Sequence, residues 1–274
     1  MLPTHIIMNI YKAKNPKGLI IRLPWMSDSP FADEKNPLLQ TFVKQAIENG
    51  ITVIVLASPG TAWIWYIEQR TMKLLEQSLM SSLQIIQRQM VWYNKIKKYL
   101  VWRSVWWTLV GASLGIKDFD KFIIVAWRLD TQELYNEVMN KPDEHPVVSM
   151  SWKIFYGFGW LQEHIQAWVI ATANGQRLYC QTEEYVQELL TKKQAIESTF
   201  VEVSKRSRKP DLLIVQAKDD TKVPYTQLNR RVQLAQNNNI PVTSVTIEYE
   251  CWHDFRHKEA VDETVHAILA FIQK

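Results

Sequence analysis

Short apolar runs alternate with helical patterns along most of this chain, and this alternation constrains the fold more than any other feature. The β-branched run Ile51–Leu56 follows a helical pattern over Asn36–Asn49. Near the other end, the strand-like runs Leu212–Gln216 and Val242–Tyr249 are separated by an amphipathic pattern over Tyr225–Asn237. Continuous apolar runs are typical of parallel strands that helices cover on both faces. The sequence therefore predicts an α/β fold with a mostly parallel central sheet flanked by helices.

The remaining elements of this core follow from the same patterns. The predicted strands are His5–Tyr11, Leu19–Leu23, the tryptophan-rich run Leu100–Val110 and Phe122–Ala126, and the predicted helices are Tyr66–Met90 and Lys258–Gln273. The tryptophan-rich run also resembles a membrane span. Arg103 interrupts it, however, and it falls short of the roughly 20 apolar residues that a span needs. We therefore expect a buried central strand there.

The middle of the chain has a different character. Residues 130–210 contain few apolar runs and many aromatic residues, among them Trp152, Trp160 and Trp168. Helical patterns lie near Gln132–Asn140 and Glu183–Ser198. We expect a largely helical insertion, or lid, before the strand that follows it. The domain prediction is a core formed by residues 1–129 and 211–274, with an insertion at 130–210.

The segment Gly111-Ala112-Ser113-Leu114-Gly115 has the pattern of a nucleophile elbow. An elbow places its serine on a sharp turn between a strand and a helix, and only small residues fit two positions before and after that serine. The chain has only 8 glycines, and two of them flank Ser113 in this way. Val105–Val110 would supply the preceding strand, and the backbone N–H of Leu114 would be one oxyanion donor.

An acid and a histidine follow the serine in the order that such a triad needs. Asp219 and Asp220 come directly after the strand that ends near Gln216, and His253 follows the last predicted strand. Because the carboxyl ends of parallel strands share one edge of a sheet, all these groups are expected at that edge. His253 would be the general base for Ser113, and Asp220 would orient the imidazole.

These segments resemble the α/β-hydrolases, in particular the prolyl-oligopeptidase-like and dienelactone-hydrolase-like serine hydrolases. In that family a strand is followed by Gly-x-x-Asp-x-x-Val-Pro, and here Asp220 stands three residues before Val223-Pro224. His253-Asp254-Phe255 is similar to the family ending Gly-His-x-Phe. The resemblance implies an α/β-hydrolase fold, a Ser-Asp-His triad, and Asp220 rather than Asp219 as its acid.

The chain departs from this family pattern at several positions. The family usually has His-Gly-Gly after the first central strand, where this chain has Leu23-Pro24-Trp25-Met26. Pro24 has no N–H to donate, so Trp25 or Met26 would supply the second oxyanion donor. Ile116 replaces a second glycine after the elbow, and the next strand begins only about nine residues after Ser113. The helix after the serine must then be short.

Other kinds of site find little support in the sequence. Cys180 and Cys251 form neither a disulfide framework nor a metal-ligand pair. His253 and His257 lie four residues apart, but no further ligand cluster accompanies them, so we expect no metal and no cofactor. The densest basic run, Lys205–Lys209, is short, and we interpret it as a solvated loop before a strand. We therefore expect no nucleic-acid partner.

The sequence hypothesis is a serine hydrolase that cleaves a carboxylic ester, a thioester or an amide of a small-molecule or acyl substrate. One alternative is an acyltransferase of the same fold, and another is a non-catalytic binding protein, which the missing His-Gly-Gly favours. A further alternative is contact with a membrane surface through the aromatic insertion. Because no signal peptide is evident, the expected location is the cytoplasm.

Overall fold

The structure, a computed structural model, describes residues 8–23, 37–56, 72–89, 95–103, 119–126, 147–152, 165–171, 178–182, 200–220, 225–250, 255 and 257–274. The strands are β1 Met8–Tyr11, β2 Gly18–Arg22, β3 Ile51–Leu56, β4 Lys97–Arg103, β5 Lys121–Val125, β6 Val147–Trp152, β7 Ile165–Ala171, β8 Leu178–Thr182, β9 Asp211–Ala217 and β10 Val242–Ile247. The helices are α1 Pro37–Glu48, α2 Met72–Gln89, α3 Gln227–Asn237 and α4 Lys258–Gln273. Residues 200–204 are also helical.

Seven strands form the main sheet in the order β1-β3-β2-β4-β5-β9-β10. Strand β1 is antiparallel to β3, and every other neighbouring pair is parallel. The predicted mostly parallel sheet is therefore confirmed. Since β2, β3, β4, β5, β9 and β10 all run the same way, their carboxyl ends lie at one edge of the sheet, called here the carboxyl edge. Their first residues lie at the opposite, amino edge.

Two apolar cores cover the two faces of this sheet. Successive strand residues point to opposite faces, so Leu100 and Trp102 belong to one core while Tyr99 and Val101 belong to the other. Helices α2 and α3 contribute to the first core, and α1 and α4 contribute to the second. The continuous apolar run of β3 is buried along its whole length, as expected for a strand covered on both faces.

Several predicted boundaries differ from the observed ones. The predicted tryptophan-rich strand begins at Lys97, three residues before its predicted start, and ends at Arg103. The remainder of the predicted run, 104–110, lies outside the described residues. Of the helix predicted over Tyr66–Met90, the described residues Met72–Gln89 are helical, and α4 has its predicted bounds. Among the described residues, no helix is both long and apolar enough to cross a membrane.

The largely helical insertion expected at residues 130–210 stays a prediction, because most of that range lies outside the described residues. Its described part contains β6, β7 and β8, which form an antiparallel three-stranded sheet in the order β6-β7-β8, the helical residues 200–204 and a loop at 205–210. The reason for the strands lies in their composition, because they are rich in valine, isoleucine and aromatic residues, which favour strands over helices. The helices predicted at Gln132–Asn140 and Glu183–Ser198 lie outside the described residues.

Tyr99 gives the protein a specific dependence on alkaline pH. Its ring is buried beside Gly18, where an added Cβ would lie 3.0 Å from Tyr99 Cε2. Burial, followed by the negative charge of Asp120, raises the pKa of the Tyr99 phenol above its ordinary value. The folded state thus favours the protonated phenol. Its contribution to stability is complete below a pH of about 10, and it is lost as the pH rises through the raised pKa.

We therefore expect wild-type protein to lose more unfolding free energy than Tyr99→Phe between about pH 9 and pH 11. Urea titrations of both proteins at several pH values measure this difference. Tyr249→Phe is the matched control, because the Tyr249 side chain is exposed, and it should follow the wild-type curve. Equal losses in wild type and Tyr99→Phe would contradict the prediction.

Candidate active site

The carboxyl edge of the main sheet is where the sequence predicts a site, and it has unusual backbone geometry. Ala126 directly follows β5, has φ of 53°, and donates its N–H to the carbonyl of Val215 at 2.8 Å. Phe255 follows β10 by eight residues and has φ of 50°. Left-handed backbone is costly for side chains with a Cβ, at roughly 1–3 kcal/mol, and such residues cluster at functional sites. Two of the three left-handed non-glycine residues among the described residues thus follow strands that end at this edge, whereas the third, Asn239, precedes β10.

Asp220 is the predicted site residue that the structure describes, and it is buried at this edge. Its side chain is 4% exposed, whereas the neighbouring Asp219 is half-buried. Gln216 is the penultimate residue of β9, and it donates a hydrogen bond from Nε2 to Asp220 Oδ2 at 3.3 Å, three residues beyond the end of the strand. The burial and the hydrogen bond agree with the sequence preference for Asp220 over Asp219, because a triad acid is held in one orientation.

Behind Asp220 lies a buried polar network that the sequence analysis missed. Arg231 on α3 is 0% exposed and donates from Nη1 to Gln216 Oε1 at 2.8 Å and from Nη2 to Gln227 Oε1 at 3.1 Å. Gln216 therefore accepts from the guanidinium on one side and donates to the carboxylate on the other. A buried glutamine amide is satisfied in this way, and its orientation is fixed by both partners.

A sequence signal for this network does exist. Gln216 is the polar residue near the end of an otherwise apolar run, Leu212–Val215, and a polar residue in a buried strand needs a partner. Gln227 and Arg231 are four residues apart on α3 and so share one helix face. The sequence alone does not show that this face is turned toward β9.

The two loops that carry the predicted acid and histidine are joined to each other. Strands β9 and β10 are parallel neighbours, with Ala217 opposite Ile247, and the N–H of Lys218 donates to the Ile247 carbonyl at 3.1 Å. Lys218 Nζ lies 2.8 Å from Glu248 Oε2, and this hydrogen bond, with the charge of Glu248, raises the pKa of the Lys218 ammonium. Both side chains are exposed, so the ion pair orients the loops more than it stabilises the fold.

The predicted base His253 lies outside the described residues, but both flanks of its segment are described. Glu250 is the last described residue before this segment. Phe255, two residues beyond His253, is fully buried in the core to which α1 and α4 contribute.

The other predicted site residues, Ser113, Leu114, Trp25 and Met26, also lie outside the described residues. Trp25 and Met26 come two and three positions after Leu23, whose N–H donates to the Val101 carbonyl at 2.9 Å. Ser113 comes ten positions after Arg103, the last residue of β4, and six positions before Phe119.

The end of β4 brings a second serine into consideration. Ser104 directly follows Arg103, the last residue of β4 that the structure describes. An elbow serine directly follows its strand, so Ser104 would meet this condition if the strand ended at Arg103. Trp102 and Trp106 stand two positions before and after it, however, where an elbow needs small residues. Ser113 therefore meets the small-residue requirement, and Ser104 does not.

Metal ligands are not grouped in the part of the chain that the structure describes. There, no three His, Cys, Asp or Glu side chains are arranged to hold a metal ion. The polar groups identified at the carboxyl edge are instead a carboxylate, its amide partner and a guanidinium. A carboxylate held in this way can accept a hydrogen bond from a donor such as an imidazole.

Solved structures resemble this chain over nearly its whole length. Est1E from Butyrivibrio proteoclasticus, solved with bound ferulic acid, has a TM-score of 0.64 at 13% identity, covering 98% of this chain and 94% of that one. An esterase domain of a Rhodothermus marinus protein has a TM-score of 0.61 at 10% identity, with 97% of both chains covered. An alpha-beta serine hydrolase homologue from Coxiella burnetii has a TM-score of 0.54 at 13% identity, with 97% and 91% covered.

Sequence comparisons are silent by contrast, because no protein-family model matches the chain and no curated protein is significantly similar to it. The structural similarity nevertheless decides the fold. The chain has the α/β-hydrolase fold, and this prediction is confirmed.

Proposed function

We propose that this chain, with its α/β-hydrolase fold, is a serine hydrolase that cleaves a carboxylic ester, a thioester or an amide. The observation that carries the proposal is the buried Asp220 at the carboxyl edge, hydrogen-bonded by Gln216, which in turn accepts a hydrogen bond from Arg231. A buried carboxylate just after a strand can orient a general base that is carried by the neighbouring loop. Here the loop after β10 is hydrogen-bonded to the loop that carries Asp220. Structural neighbours that are esterases support the same reaction class.

The proposed mechanism proceeds through an acyl-enzyme. His253 removes the serine proton as Oγ attacks the acyl carbon, and the resulting imidazolium returns that proton to the leaving alcohol, thiol or amine. Water then attacks the acyl-enzyme with His253 again as base, which releases the carboxylic acid and restores the serine. Asp220 stabilises the imidazolium, and the N–H of Leu114 with that of Trp25 or Met26 would stabilise the oxyanion.

Ser113 is the proposed nucleophile on its flanking glycines, and Ser104 is the competing candidate on its position after β4. The two differ in the oxyanion donor as well, because the donor is the N–H of the residue after the nucleophile. That residue is Leu114 for Ser113 and Val105 for Ser104. The test therefore has to include both serines.

Labelling with a fluorophosphonate probe, followed by peptide mass mapping, tests the proposal directly. We expect wild-type protein to gain one phosphonyl group, and we expect Ser113→Ala to abolish the labelling while Ser104→Ala retains it. Ser244→Ala is the control, because this serine is exposed on β10 and its loss should leave labelling unchanged. Labelling that survives Ser113→Ala and is lost in Ser104→Ala would move the nucleophile to Ser104.

A folded wild-type protein that takes no label would instead support the alternative of a non-catalytic binding protein. Leu23-Pro24-Trp25-Met26 in place of His-Gly-Gly favours that alternative, because one oxyanion donor position is occupied by proline. An acyltransferase would label but would transfer the acyl group to an added alcohol or amine faster than to water.

The first substrates to assay are p-nitrophenyl acetate, p-nitrophenyl butyrate and methyl ferulate. The last is included because Est1E has been solved with ferulic acid. A small-molecule acyl substrate of this kind matches the proposed partner class, and turnover of any one of them that His253→Ala removes would support the mechanism.

A further inference from the structure

A cleft lies at the amino edge of the main sheet, and the candidate active site lies at the opposite, carboxyl edge. The volume of the cleft is about 620 Å³. Its lining includes residues at the beginnings of three strands: Lys97 of β4, Asp120 just before β5 and Pro210 just before β9. Strands rise about 3.3 Å per residue, so the seven-residue β4 places the two edges roughly 20 Å apart. The cleft is therefore a separate site.

Basic side chains dominate the lining of this cleft. Its cationic members are Lys95, Lys97, Lys98, Arg206, Arg208 and Lys209. They come from two short runs, 95–98 and 206–209, which are far apart in sequence. The parallel pairing of β4 with β5 and of β5 with β9 brings the starts of these strands side by side. The basic run that the sequence analysis interprets as a solvated loop is a loop, but Arg206 and Lys209 are half-buried in it.

Asp120 is the single carboxylate among the lining residues that the structure describes, and its two oxygens are already engaged. Oδ1 pairs with the Arg208 guanidinium, and Oδ2 accepts the backbone N–H of Lys98 at 2.8 Å. Among the described residues, none of the ion pairs involves Lys95, Lys97 or Lys209. The lining thus carries six positive charges and one negative charge.

Like charges crowded in this way repel one another. Just beside the cleft, burial lowers the pKa of the Lys121 ammonium; the charges of Asp211 and Asp120 oppose this lowering, and those of Lys97 and Lys274 add to it. A bound anion would relieve this repulsion between cations. The free energy so gained increases with the number of negative charges on the ligand.

We propose that this cleft binds a small anion carrying several phosphate charges, as in a di- or triphosphate or a phosphorylated headgroup. Arginine forks and lysine ammonium groups together are the donors that bind phosphate oxygens in proteins. The volume lies within the range of about 300–1,000 Å³ that is typical of small-molecule pockets. A concave pocket favours a compact ligand over nucleic acid, which is bound along a basic stripe or face.

Isothermal titration with inorganic tripolyphosphate tests this proposal on the full chain. We expect Lys97→Glu and Lys209→Glu each to weaken binding about tenfold or more, since each substitution replaces a charge-assisted contact by repulsion. Neither side chain is buried, so both variants should keep the wild-type melting temperature. Lys44→Glu is the matched control, because it makes the same charge change at an exposed position of α1, and it should bind within about twofold of wild type.

Two further arms identify the source of the phosphate. Binding of free tripolyphosphate indicates a soluble ligand, whereas binding only to vesicles that contain phosphatidylinositol 4,5-bisphosphate, and not to charge-matched phosphatidylserine vesicles, indicates a headgroup. Either result supports the proposal if Lys97→Glu removes it. Absence of both, or binding that Lys97→Glu and Lys209→Glu leave unchanged, would overturn it. Tighter binding of a DNA duplex than of tripolyphosphate would also overturn it, in favour of a nucleic-acid surface.

Discussion

We expect Asp220→Asn to lower kcat for ester hydrolysis by about four orders of magnitude while the protein remains folded. An asparagine keeps the shape of the side chain but has no negative charge to stabilise the imidazolium of His253. Its amide also offers a donor where the imidazole N–H needs an acceptor, which favours the wrong tautomer. Steady-state rates on the most rapidly hydrolysed of the p-nitrophenyl esters measure the effect.

The adjacent carboxylate provides a matched control for this substitution. Asp219 is half-buried next to Asp220 and follows the same strand. Asp219→Asn should leave kcat within about threefold of wild type, because a partly exposed group away from the base contributes little transition-state stabilisation. A large loss in Asp219→Asn with none in Asp220→Asn would transfer the acid role to Asp219. Full activity in both variants would exclude the proposed triad.

The second large effect concerns Arg231, the buried residue at the other end of the same network. We expect Arg231→Met to lower the free energy of unfolding by about 3 kcal/mol. Methionine fills a similar volume but removes the donors that satisfy Gln216 Oε1 and Gln227 Oε1, both in buried residues. It also removes positive charge from the network that ends at the buried Asp220. Urea denaturation at neutral pH measures the difference.

Arg230 is the control for this experiment, since it is exposed on the same helix one residue earlier. Arg230→Met should change the unfolding free energy by less than about 0.5 kcal/mol, as surface substitutions usually do. If the two variants are equally stable, the hydrogen bonds of Arg231 contribute no more to the free energy of unfolding than an exposed arginine does. Gln216 would then not be held in place by the guanidinium.

Asp220 shows how far the sequence leads to a site, and Gln216 shows where it stops. The acid could be placed because it follows a buried strand directly, and strand ends at a parallel sheet share one edge. The network behind it depends on α3 turning one face toward β9, which no local pattern states. The strand predicted before Ser113 is described only as far as Arg103. Its predicted continuation to Val110 lies outside the described residues.

The strands within residues 130–210 were not foreseen for a related reason. Their aromatic residues fit a helical core as well as they fit strands, and periodicity cannot separate the two in short apolar runs. Strand pairing of β6 with β7 and of β7 with β8 joins residues that are 7 to 23 positions apart, which no local pattern specifies.

By itself the sequence determined the alternation of strands and helices, the parallel direction of the sheet and the position of Asp220 at its carboxyl edge. Each of these follows from local periodicity and from the short distance between a strand and the loop after it. The tertiary structure alone decided that the basic runs at 95–98 and 206–209 share one cleft and that Arg231 supports Gln216. Such groupings depend on strand order and helix packing, which are set by the burial of the whole core, and residues distant in sequence meet only when that core forms.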